Sequence, residues 1–294
     1  MMTSDEKTRQ SKRILSFSIL TAFALAVLKF VTGIVTGSMA ILASALDSAM
    51  DAGVSTVNFI AANEAAKPPD AEHKYGHGKV ESLAGLFQSL IISVSGLYVV
   101  VESVKRLFRG SEVRYHDAGI VVMLISALAT IVLVWRLHVA SKKYKSIILS
   151  TEKLHFTSDI LTHGIVITAL GLSRWTGLAL WDLALSIAVA VYIFQASCKI
   201  LKRSVDELLD RSLDPNTEKK IRQMIQAHHA SIMGLHDFRS RQVGDKMFLD
   251  FHIEIQGETD FEKAHNIAES LVQKIKGEYT NADVTVHYDP EGAD

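Results

Sequence analysis

Two pairs of ionisable residues in apolar surroundings carry the most telling chemistry in this sequence. Asp47 and Asp51 are four residues apart, as are His155 and Asp159, so a helix would set each pair on one face. An ionised side chain at mid-membrane costs roughly 2.5–3.5 kcal/mol, so three aspartates would cost about 8–10 kcal/mol without compensation. Lys29 is the only lysine well inside these apolar segments, so no matching set of basic residues is at hand. A divalent cation would offset the charge. Two Asp, one His and a further Asp form an oxygen and nitrogen set suited to four-coordinate Zn²⁺. The competing reading makes them helix-end residues that reach the interface or pair with Lys29. Two pairs at one spacing favour the metal.

A second group lies in a polar loop that runs from Pro68 to Lys79. Asp70, His73 and His77 could close around one ion, with Gly76 and Gly78 letting the loop wrap. The alternative is a solvated polar loop. A third group is spread along the C-terminal segment: His236, His252, His265 and His287, with Asp289 beside the last. Histidines on consecutive elements of a small domain can converge on one site, or remain unrelated surface residues.

The elements that must position these groups follow from the pattern of hydropathy. Four clean apolar runs, 14–36, 80–108, 117–135 and 181–201, are about long enough to cross ~30 Å of hydrocarbon as helices. Two more, 38–63 and 153–172, are interrupted by the aspartates and histidines. Counting both gives six spans. Basic residues favour that count, because they cluster in the N-terminal arm and in the second and fourth loops. The first loop has none and the fifth only Arg174, while the third, with Arg106, Arg109 and Arg114, is an exception. The positive-inside rule then puts both termini in the cytoplasm.

After Asp210 the pattern changes. A helix is predicted over 215–228, strands over 234–243 and 247–255, a helix over 260–277 and a last strand over 283–288. In the second strand Leu249, Phe251, Ile253 and Ile255 alternate with Asp250, His252 and Glu254, which is half-buried sheet. Gly244-Asp245 would turn the hairpin, although the preferred order is Asp-Gly. The expected architecture is an all-α six-helix transmembrane domain plus a small cytoplasmic α+β domain of order α-β-β-α-β. The boundaries are a cytoplasmic arm 1–13, a transport domain 14–210 and a metal-binding and dimerisation domain 211–294.

Composition agrees with two unlike parts. The 294 residues are 48% hydrophobic with a mean hydropathy of +0.20, high for a soluble chain and low for one buried in lipid throughout. A net charge of -1 gives no support to nucleic-acid binding. A single cysteine, Cys198, excludes a disulfide framework.

Taken together, Asp47-x-x-x-Asp51, His155-x-x-x-Asp159 and Pro69-Asp70-x-x-His73-x-x-Gly76-His77-Gly78-Lys79-x-Glu81 resemble the cation diffusion facilitator family. The likeness extends to Leu208-Leu209-Asp210-Arg211, to Leu235-His236-Asp237-x-Arg239-x-Arg241-Gln242 and to Val286-His287-x-Asp289-Pro290, and so spans residues 11–290. It implies a homodimer in the inner membrane of a bacterium, with lipid around it and a metallochaperone-like C-terminal domain. It also implies export of divalent metal in exchange for protons. On the matching positions, Asp47, Asp51, His155 and Asp159 become the transport site. Asp70, His73 and His77 become a loop site. His236, His252, His265, His287 and Asp289 become a binuclear C-terminal site, and Lys79 and Asp210 a salt-bridged pair near the dimer contact. Tyr288 departs from the Gln that close relatives often carry.

The expected function is proton-coupled efflux of Zn(II) by alternating access, with no enzymatic activity and with Fe(II) and Cd(II) as further candidate ions. Three carboxylates and a neutral imidazole sum to about -3, and to about -1 with Zn²⁺ bound. Loss of the metal leaves uncompensated buried charge, which favours proton uptake. Imidazole, with an ordinary pKa of ~6.5, suits a proton carrier. The rivals are an exporter whose main substrate is Fe(II), an intramembrane metalloenzyme, and a non-transporting metal-sensing scaffold. No HExxH pair accompanies these residues, and a scaffold has no need of buried aspartates.

Overall fold

The computed structural model describes residues 4–109, 117–176, 180–257 and 260–292. The chain divides into two compact units, Met1–Val205 and Asp206–Asp294. The basic third loop, 110–116 with Arg114, lies outside the described residues.

Six helices build the first unit: α1 Ser4–Thr36, α2 Met39–Ala65, α3 Lys79–Arg109, α4 Asp117–Tyr144, α5 Ile147–Thr176 and α6 Leu180–Leu208. Gly37, at φ 66°, turns α1 into α2, and Ser38 caps α2 by accepting a hydrogen bond from the Ile41 N–H at 3.4 Å. The two helices approach closely just before that turn. A Cβ on Gly33 would sit 2.7 Å from the Leu42 side chain, so a larger residue there would have to push Leu42 aside. Among the described residues, four helices are long and apolar enough to cross a membrane, in α1, α3, α4 and α6. The remaining two, α2 and α5, are those that carry the aspartates and His155.

The unit is apolar on its outside and partly polar within. Leu20, Phe23, Val35, Val94, Leu97, Leu128 and Trp135 are exposed, while Ser18, Ser55, Ser82, Ser89, Ser126, Ser197 and Ser204 are buried. Water does not favour that arrangement, because so much exposed apolar surface is unfavourable there. In hydrocarbon it is favourable, since lipid tails solvate the leucines. Small hydroxyl residues then let helices pack closely and bond to one another, as Ser93 does to Ser197 at 3.0 Å across α3 and α6.

The second unit is α7 Pro215–Gln226, β1 Ile232–Val243, β2 Lys246–Ile255, α8 Phe261–Glu278 and β3 Ala282–Pro290. Its sheet has the order β1-β2-β3, antiparallel between the first two and parallel between the last two. Asp214 and Asp260 cap the two helices by accepting backbone N–H bonds, from Asn216 and Thr217 and from Lys263. The helices cover one face of the sheet. Ile221, Ile225, Leu271 and Ile275 meet Leu249, Phe251, Ile253 and Ile255 there. The Gly-Asp order of the hairpin is explained by its backbone: only Gly244, at φ 60°, takes the left-handed region, which fits a turn with glycine at the first loop position.

Candidate metal centres

The membrane unit brings Asp51, His155 and Asp159 together. Their ligand atoms all lie within 4.8 Å of one another. His155 Nε2 is 3.1 Å from Asp51 Oδ1 and 4.0 Å from Asp159 Oδ2, and all three residues are half-buried. Helical spacing explains the arrangement: Asp159 is one turn after His155 on α5, and both face Asp51 on α2. Two carboxylate oxygens and an imidazole nitrogen this close could hold a cation. Asp47 stands one turn before Asp51 on the same helix, is exposed, and is not part of this trio. The side chain of His163 lies outside what the structure describes.

Two buried ionisable groups flank the trio, and only one of them stood out in the sequence. On one side Lys29 of α1 is buried, and its Nζ donates to Ser48 Oγ at 2.8 Å. Ser48 lies between Asp47 and Asp51 along α2. On the other side Glu152 of α5 is fully buried. Ser55 Oγ donates to its Oε1 and Asn58 Nδ2 to its Oε2, both from α2. Glu152 precedes His155 by one turn, and Ser55 follows Asp51 by one turn. A second polar tie between α2 and α5 thus sits directly next to the His155–Asp51 contact and sets the register in which those two meet. The spacing was visible in the sequence, since Ser55 and Asn58 continue the face of Asp51, but an isolated Glu gave no sign of its partners.

The three loop residues also come together. Asp70 Oδ1 accepts the backbone N–H of Glu72 at 2.9 Å and of His73 at 2.6 Å, which folds the loop back on itself. Asp70 Oδ2 then lies 3.2 Å from His77 Nε2, and the rings of His73 and His77 are 4.5 Å apart. The backbone N–H of His73 is the main cause that holds the Asp70 carboxyl below the usual carboxylate range. Asp70 and His73 are exposed, so ions can exchange with solvent here.

In the second unit strand register does the gathering. His236 on β1 pairs with His252 on β2, which pairs with His287 on β3, so three imidazoles stand in one row across the sheet. Asp289, two residues after His287, shares its face. Its Oδ2 is 3.0 Å from His252 Nδ1 and 3.4 Å from His236 Nε2, and its Oδ1 is 3.0 Å from His287 Nε2. Both carboxylate oxygens therefore face imidazoles, which suits a bridging ligand. Burial works against the charge of Asp289, but the bond to His252 and the neighbouring rings outweigh it and hold the carboxyl below its ordinary range. His265 lies on the exposed side of α8 and is not among the residues gathered here. Tyr288 sits on the opposite face of β3, where it packs against Phe261 and the core. Its difference from Gln therefore alters the sheet's helix side rather than the imidazole row.

Lys79 opens α3 in the first unit. Asp210 belongs to the second, where its Oδ2 lies 3.2 Å from Arg241 Nη1.

Comparison with known proteins gives the family. The cation efflux transmembrane domain family matches residues 15–209, and the cation efflux protein cytoplasmic domain family matches residues 213–291. The cation-efflux pump FieF of Shewanella oneidensis is 35% identical over 93% of this chain and 92% of its own length. FieF of Klebsiella pneumoniae is 34% identical over 92% of this chain and 89% of its own. A solved structure of the putative zinc transporter CzrB in its zinc form is 29% identical, covering 29% of this chain and 97% of that one with a TM-score of 0.28. Two family domains matched end to end, by a chain with a membrane unit, a C-terminal α/β unit and three clusters of candidate cation ligands, place this protein in the cation diffusion facilitator family of cation efflux transporters.

Proposed function

We propose that this transporter moves Zn(II) out of the cytoplasm in exchange for protons, with Asp47, Asp51, His155 and Asp159 as the ligands of the transported ion. The observation that carries this reading is the close trio of Asp51, His155 and Asp159 on α2 and α5. An unoccupied site of this charge is unfavourable in a low-dielectric interior, so metal and protons compete for it. Metal taken from one side and protons taken from the other then exchange as the site alternates in access. The imidazole favours Zn(II) over ions that prefer oxygen alone, while Fe(II) accepts the same ligands. All six helices span the inner membrane in this reading, with both termini in the cytoplasm. Two protomers assemble, with one further ion site in the loop between α2 and α3 and another in the C-terminal unit. Lys79 and Asp210 help to join the dimer.

Purified protein in vesicles with an imposed pH gradient tests the proposal, with zinc and iron uptake measured in parallel. The expected result is zinc movement that follows the gradient and stops when it is collapsed. Faster iron movement would assign Fe(II) as the main substrate. Zinc uptake indifferent to the gradient would remove proton coupling.

A further inference from the structure

Lys29 has no part in the ligand set, yet it is the group that a hydrocarbon-embedded helix should least tolerate. A lysine near the middle of a span costs as much as an aspartate unless a counter-charge is close. Its ammonium is buried and donates to Ser48 Oγ, on the turn of α2 that carries Asp47 and Asp51. Among the described residues, the charges that act on it most are those of Asp51, Asp47 and Asp159. Charge counting shows what it would do there. With only the ligands counted, the metal-loaded site remains at about -1. With Lys29 included, three carboxylates, one ammonium and one divalent ion sum to zero.

We propose that Lys29 is a built-in counter-charge of the transport site, which neutralises the loaded state and weakens metal binding enough for the ion to leave. The proposal rests on Asp47, Asp51, His155 and Asp159 being the transport ligands. It differs from a purely structural role in its sign. A residue that only holds α1 against α2 would, when removed, loosen the site and weaken binding. A counter-charge would, when removed, tighten it. For an illustrative separation of ~10 Å, a unit charge acting on a divalent ion changes affinity by roughly tenfold at an effective permittivity of ~50, and by more at lower permittivity. An exporter whose ion is held that much more tightly releases it more slowly, so the maximal rate falls with the KM.

The test compares wild type with Lys29→Met, Lys29→Gln, Lys29→Arg and Asp51→Ala in vesicles, with zinc ion as the probe. Lys29→Met and Lys29→Gln should lower the zinc KM about tenfold and lower the maximal rate as well. Lys29→Arg, which keeps the charge, should stay within about threefold of wild type in both. An unchanged or raised KM in the neutral variants overturns the proposal. Should one neutral variant fail to fold, the other decides, and failure of both makes Lys29 a structural ion-pair partner and equally overturns it. Asp51→Ala separates this outcome from failure of the transport-site reading: if that variant moves zinc normally, the ligand assignment itself is wrong.

Discussion

Glu152 offers the sharpest check on how the proposed transport site is held in place. Its two carboxylate oxygens accept bonds from Ser55 and Asn58, and it has 0% of its surface exposed. Glu152→Ala leaves a hydroxyl and an amide of α2 facing a cavity. Each unsatisfied buried donor costs about 1–3 kcal/mol in soluble proteins. Side-chain bonds between membrane helices average nearer ~0.6 kcal/mol and reach about 1.7, because groups that lose one partner find another. Two bonds in this setting give a loss of about 1–3 kcal/mol, or about 2–12 °C in melting temperature for a unit of this size. The same substitution frees the register of α2 against α5, so His155 meets Asp51 less well and the zinc KM should rise severalfold. Glu152→Gln keeps the shape and one acceptor, so it should fall between wild type and Glu152→Ala in both measurements. Melting of the detergent-solubilised protein and vesicle transport read out the two effects. A Glu152→Ala protein with wild-type melting temperature and wild-type KM would refute the reasoning.

Asp51→Ala or Asp159→Ala should abolish zinc transport while leaving the protein folded, because each removes a charge whose burial is itself unfavourable; normal vesicle uptake would remove that residue from the site. His155→Asp should convert the site to oxygen ligands only, gain Mn²⁺ movement and lose part of the zinc preference, as judged by parallel transport of the two ions. Zinc should raise the melting temperature of the isolated segment 206–294 through His236, His252, His287 and Asp289, and Asp289→Ala should remove most of that rise. In the loop, backbone N–H groups hold the Asp70 carboxyl low. The fold-back that its charge supports is therefore fully present above the ordinary carboxylate range, and is lost only as pH falls through the lowered value. Amide-exchange protection at His73 should accordingly be equal at pH 7 and pH 5.

The parts legible in the sequence were those with a short-range period. Alternation of Leu249, Phe251, Ile253 and Ile255 located β2, and Asp214-Pro215 located the start of α7. The helices of the membrane unit proved longer than their apolar runs. α4 continues to Tyr144 through Arg136, Lys142 and Lys143, and α5 starts at Ile147, before Glu152 and Lys153. Hydropathy marks where lipid ends, whereas backbone hydrogen bonding carries a helix on into the polar region. For the same reason Glu152 was hidden: it lay just outside the apolar run 153–172 and gave no indication that Ser55 and Asn58 would meet it.

Why some of the residues singled out in the sequence converge and others do not is a matter of which geometry relates them. Asp51, His155 and Asp159 meet because one helix spacing and one interhelical register suffice. His236, His252 and His287 meet because the register of the sheet aligns them in one row, and Asp289 joins through the two-residue period of β3. His265 satisfies neither condition, being on a helix that covers the other face of the sheet from the imidazole row. Asp47 keeps the four-residue spacing to Asp51, but its side chain is exposed and stays outside the trio. A rotation of α2 toward α5 would turn the exposed Asp47 toward the ion that Asp51 meets. That motion would have to break and remake the Lys29–Ser48 and Glu152–Asn58 ties on either side of the trio. The ties therefore lie where alternating access would need to act. A variant that strengthens one of them should slow transport without removing metal binding.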